Sequence, residues 1–122
     1  MKDARLEKLA YNLINYSVQL EKGDRILVEV MGGGLELARE IIKEAYRAGG
    51  MPFVTLKNQE LLRTLLAGSS EEQLKSAAAY EIPRMREMNA YIGIRGAENV
   101  SELSGVPPEK MRMYMEHYVK PL

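Results

Sequence analysis

Apolar residues along this chain fall either into short runs or into longer stretches of helical period, and the order of the two sets the fold class. In residues 25–31, Ile26, Val28 and Val30 alternate with Leu27, Glu29 and Met31. That is the two-residue period of a strand with apolar side chains on both faces. After Gly32, Gly33 and Gly34, the residues Leu37, Ile41, Ala45 and Ala48 recur at spacings of four and three, with Ala38 and Ile42 beside them. Arg39, Glu40, Lys43, Glu44 and Arg47 fill the other side, so this segment predicts an amphipathic helix. Gly34 is placed to be its N-cap, Glu36 and Arg47 suit the two ends of its dipole, and Gly49 suits the left-handed position beyond it. A second apolar run, opening at Pro52 or Phe53 and reaching Leu56, follows a glycine pair. Two near-continuously apolar strands joined by one helix form a βαβ unit, parallel, right-handed and buried on both faces.

The flanking segments extend this unit. Leu6, Leu9, Ala10, Leu13 and Ser17, widened by Ile14, predict a helix over residues 3–17 capped by Asp3. A turn at Glu21-Lys22-Gly23-Asp24 hands it to the first strand. Asn58 caps a helix to about residue 66. Ser69 with Glu72, or Ser70 with Gln73, forms a capping box for another that reaches residue 88. Leu74, Ala77 and Ala78 face inward there, and Pro83 marks a kink or restart. A third strand covers residues 90–94, and Asn99 caps a short helical turn through residue 103. The last helix opens at Pro107-Pro108, carries Met111, Tyr114, Met115 and Tyr118 as its stripe, and ends at Pro121. The pattern is α/β: one three-layer αβα domain over residues 1–122, with a short, mainly parallel sheet ordered 2-1-3 and helices on both faces.

Composition narrows the function classes. A chain of 122 residues suits one domain. Seventeen basic and seventeen acidic residues cancel, leaving no field to gather nucleic acid or an anionic membrane. Nothing approaches the roughly 20 apolar residues of a membrane span. No cysteine occurs, which excludes disulfides and thiolate metal sites and fits a cytoplasmic protein. Eight methionines are adaptable core filler, or, at Met111, Met113 and Met115 with Tyr118, a surface for another domain or for a homodimer.

Candidate chemistry gathers at the C-terminal ends of the strands, where open α/β sheets place their clefts. Glu29 is a carboxylate in an otherwise apolar strand, which demands a partner or solvent. Gly32, Gly33 and Gly34 form a glycine-rich strand-to-helix turn, the type that cradles phosphate. The dinucleotide fingerprint is absent, because Leu37 stands where its last glycine belongs, and Lys57 and Asn58 stand where the ribose-binding acid belongs. Arg95, Glu98 and Asn99 follow the third strand in a polar, glycine-punctuated loop. The lone histidine, His117, lies on a charged helix face and reads as solvated. No nucleophile-and-base pair and no set of metal ligands appears at recognisable spacing.

Three stretches, NYSVQLEKGDRILVEV at residues 15–30, ARE-IIKEAYRAGGMPFV at 38–54 and YIGIRGAENVSELSGVPPEKM at 91–111, together resemble the N-terminal domain of the thermophilic aminopeptidases, the aminopeptidase T and aminopeptidase S metallopeptidase family. The resemblance implies an enzyme that removes N-terminal residues from peptides with a divalent metal pair (zinc, cobalt or manganese) whose ligands belong to a C-terminal catalytic domain. On that basis Pro121-Leu122 is where the family continues, the 122-residue chain is inactive alone, and it holds neither metal nor cofactor. Its expected partners are the missing catalytic domain and a peptide substrate. Arg95, Glu98, Asn99, Glu29 and Gly32 to Gly34 then become candidates for shaping the interdomain cleft. The rival readings are a small Rossmann-like module holding a phosphate-bearing ligand at Gly32 to Gly34, and an interaction or dimerisation module.

Overall fold

In the computed structural model, which describes residues 3–95 and 105–122, the alternating apolar run becomes β1 (Arg25–Met31). It is the central strand of a three-stranded parallel sheet, with β2 (Met51–Lys57) on one side and β3 (Ala90–Arg95) on the other. The expected order, 2-1-3, is the observed one. β1 and β3 run parallel with Leu27 opposite Tyr91, Glu29 opposite Gly93 and Met31 opposite Arg95.

The described residues fall into two compact units. The first comprises residues 3–56 and 88–95, and the second residues 57–87 and 105–122. In the first, α1 (Ala4–Asn12) and α2 (Leu35–Arg47) pack against each other and onto one face of the sheet. Ala10, Ile14, Ile26, Val28, Val30, Ile41 and Ala45 form its core. Asp3 caps α1 by accepting the Arg5 N–H. The single long first helix expected from the sequence instead changes after Asn12 into a π turn over Leu13–Ser17; Ile14 is in the core as expected, whereas Ser17 is exposed. Glu44, expected on the outer side of α2, is buried, because it flanks Ile41 and Ala45, and it pairs with Arg47 one turn on. β2 also departs from expectation: Met51, Phe53, Val54 and Leu56 are exposed. Only the central strand has a neighbour on each side, so β1 is buried while the edge strand is not.

The second unit contains α3 (Gln59–Gly68), α4 (Glu71–Arg86) and α5 (Pro108–Tyr114), the last followed by a π turn over Met115–Val119. Leu66, Leu74, Val106 and Tyr114 form its core, with Leu62, Met111, Met113 and Tyr118 packed around them. Two of the three clustered methionines are thus core filler, and Met115 alone of them is strongly exposed. The two capping registers at the start of α4 are resolved in favour of Ser70, which accepts the Gln73 N–H at 3.1 Å. Ser69 is buried instead, and its hydroxyl donates to the Leu66 carbonyl at 2.8 Å. Pro83 does not interrupt α4: it falls in the last turn, where its missing N–H removes one hydrogen bond and the helix ends three residues later. Among the described residues no helix is long and apolar enough to cross a membrane.

Candidate functional site

The sheet register assembles a polar cluster that begins with Glu29. Residues 27, 29 and 31 of β1 share a face with residues 91, 93 and 95 of β3. Glycine at position 93, directly opposite Glu29, leaves space above the sheet, and the side chains two residues to either side close over it. The Tyr91 hydroxyl donates to Glu29 Oε1 at 3.0 Å, and Arg95 Nη1 approaches the same oxygen at 3.3 Å. The Glu29 side chain is 13% exposed and that of Arg95 50%. A strand carboxylate that would be costly alone is thereby paired, with the guanidinium reaching outward from it.

The electrostatics follow from this packing. Burial, and then the Glu29 charge and hydrogen bond, push the Tyr91 phenol above its ordinary pKa. Burial pulls Arg95 down, but Tyr91 and Glu29 outweigh it and the guanidinium is held above its usual range. Arg95 is therefore a permanent cation anchored at the end of β3, level with Met31 at the end of β1.

The glycine turn lies at the same end of the sheet. Gly32 and Gly34 adopt left-handed φ values of 81° and 101°, and Gly34 serves as the N-cap of α2. A Cβ at Gly34 would run into the Ile94 side chain. Backbone geometry and close packing against β3 thus account for Gly34 without a ligand. The structure therefore brings Glu29, Arg95 and the Gly32 to Gly34 turn to one end of the sheet, whereas Glu98, Asn99 and the short turn expected after Asn99 lie outside the described residues. Tyr91 is the member that sequence reasoning missed. The available signal was the alternation Tyr91-x-Gly93-x-Arg95, two polar side chains flanking a glycine on one strand face. His117, expected to be solvated, has a partly buried side chain and sets its Nε2 3.3 Å from Glu71 Oε1.

Comparison with known proteins identifies the family. The profile of the thermophilic metalloproteases, M29, matches residues 2–120. The chain belongs to the M29 family. Aminopeptidase T of Thermus thermophilus is 34% identical over an alignment of 111 residues that covers 87% of this chain and 27% of that protein. The solved structure of wild-type AmpT from Thermus thermophilus superposes with a TM-score of 0.74 at 28% identity, covering 97% of this chain and 31% of that one. The chain thus spans less than a third of the M29 relatives it matches, and the likeness is to the N-terminal part of aminopeptidase T.

M29 membership implies metal dependence in a full-length enzyme. Among the described residues, no group of three or more His, Asp or Glu gathers where it could hold a metal ion. Glu29 is engaged with Tyr91 and Arg95, and His117 is paired with Glu71. These side chains do not fit a metal centre, and no catalytic step is assigned to them.

Proposed function

We propose that this chain acts as the N-terminal, non-catalytic domain of a metal-dependent aminopeptidase that removes N-terminal residues from peptides. The observation that carries this reading is the likeness of nearly the whole chain to the N-terminal part of aminopeptidase T, of which it spans 27%. In this role its partners are a C-terminal catalytic domain, which holds the zinc, cobalt or manganese pair, and a peptide. The lack of cysteine suits work in the cytoplasm. The C-terminal end of the sheet shapes the substrate cleft: Glu29 fixes Arg95, and the half-exposed guanidinium offers its remaining N–H donors to a peptide carbonyl or carboxylate. Gly32 to Gly34 form the wall beside it, with Glu98 and Asn99 next along the chain.

The test is aminopeptidase turnover of a leucine chromogenic substrate by the 122-residue chain with added zinc, cobalt or manganese, alongside the metal content of the purified protein. No turnover and no stoichiometric metal are expected. Metal-dependent turnover that co-purifies with the chain would overturn the non-catalytic assignment. In an M29 enzyme carrying this chain as its first domain, Arg95→Ala is expected to raise KM for peptides, and unchanged KM and kcat would remove Arg95 from the cleft.

A further inference from the structure

The second unit contains an apolar pocket that the peptidase reading does not use. It has a volume of about 270 Å³ and opens between α3, α4 and the C-terminal segment. Leu74 lies at its floor, Leu61 and Leu65, one turn apart on α3, flank it, and the stacked rings of Tyr114 and Tyr118, 5.4 Å apart, form one wall. An apolar cavity of roughly 150 Å³ already holds benzene, so this one accepts a branched aliphatic or a substituted aromatic group. Leu61 is 72% exposed and Leu65 50%, so the sides of the pocket are presented to an incoming apolar body. The lining also carries a cation. Among the described residues of the lining Lys57 is the charged one, and its ammonium sits 5.3 Å from the Tyr118 ring centroid. An ammonium has three N–H donors, so it can serve a ligand while keeping its contacts within the protein.

We propose that this pocket binds a small organic acid, with its aliphatic or aromatic body between Leu61, Leu65, Leu74 and the two tyrosine rings and its carboxylate at Lys57. Shape selects the body and Lys57 selects the head: a neutral or cationic analogue of the same size gains the apolar contacts and loses the charge-assisted hydrogen bond. The assignment does not depend on the peptidase reading.

The test is a methyl NMR titration of the 122-residue chain with 4-methylpentanoate and, separately, with 4-methylpentanamide. The acid is expected to give saturable shifts at the Leu61 and Leu65 methyls, and the amide to bind about tenfold more weakly, the scale of one hydrogen bond to a charged group. Lys57→Met is expected to weaken the acid to the level of the amide while Lys57→Arg keeps it tight. Because the acid and amide are first compared on the unaltered chain, the proposal stays testable if Lys57→Met fails to fold. It is overturned by acid and amide binding equally, by no saturation with the acid at tens of millimolar, or by shifts at the same methyls that follow protein concentration without any acid, which would make a second copy the occupant.

Discussion

Replacing Gly93 with alanine tests whether the Glu29 cluster depends on the empty space in the middle of β3. A Cβ built there lies 2.8 Å from the Tyr91 hydroxyl oxygen and 3.2 and 3.3 Å from two of its ring carbons. The strand backbone is held by its ladder to β1, so the ring is what moves, away from Glu29 and toward solvent. A buried hydrogen bond to a charged group is worth about 1.5–3 kcal/mol, but Tyr91 is 41% exposed, which brings the loss nearer 1 kcal/mol. Alanine in place of glycine returns about 0.4–1 kcal/mol by restricting the unfolded chain. The two nearly cancel, so the decisive readout is the Tyr91 titration. Burial first, and then Glu29, hold its pKa above the ordinary value; a displaced ring loses both causes and titrates closer to about 10. The assay is carbon-13 NMR of the tyrosine Cζ signals, with Tyr91→Phe assigning one of the seven tyrosines. The linkage has a definite sign. Because the folded pKa is raised, its contribution to stability is fully present below the unfolded value and is lost as pH rises through the folded one. That alkaline loss should be smaller in Gly93→Ala. A folded Gly93→Ala variant whose Tyr91 titrates as in the unaltered chain would refute the reasoning.

Gly34→Ala combines a left-handed φ with a collision against Ile94 and is expected to cost about 1–3 kcal/mol in urea unfolding. Ile41→Ala empties a fully buried site beneath β1 and should cost about 2–5 kcal/mol in thermal or urea unfolding. The Glu71 carboxyl is held below its usual pKa by the hydrogen bond and charge of Lys75, and then by His117. A lowered folded pKa gives stability that is present above the unfolded value and lost as pH falls through the folded one, so Glu71→Gln should flatten the acid limb of the stability profile. An acid limb identical in both proteins would count against that contribution.

Much of the fold was legible because local signals agreed with one another. The period-two run of β1, the glycine turn, the amphipathic stripe of α2 and the glycine pair before β2 each point to the same βαβ unit, and the structure contains it. The misreadings fall where tertiary context decides. Residues 13–17 carry helical period but wind as a π turn, in which Ile14 reaches the core as its place in the pattern predicts and Ser17 stays exposed. The apolar residues of β2 resemble those of β1, yet an edge position leaves four of them exposed. Pro83, a breaker by its chemistry, is tolerated because it stands in the final turn of α4.

The candidate site was legible only in halves for a related reason. Glu29 is conspicuous in one dimension, since a carboxylate amid Ile26, Leu27, Val28 and Val30 calls for a partner. Arg95 stands out as the cation at a strand end. What joins them is the register of two parallel strands, which brings together residues 66 positions apart in the sequence. Parallel strands carry no hairpin to announce their pairing, so nothing local reveals that Gly93 faces Glu29. A slip of one residue would send Tyr91 and Arg95 to the opposite face, beside the apolar Val28 and Val30 of β1, and leave the carboxylate opposite an isoleucine. Cluster and register are thus one feature: the polar trio favours the observed pairing of β1 with β3, and Gly93 is the residue that allows the trio to close.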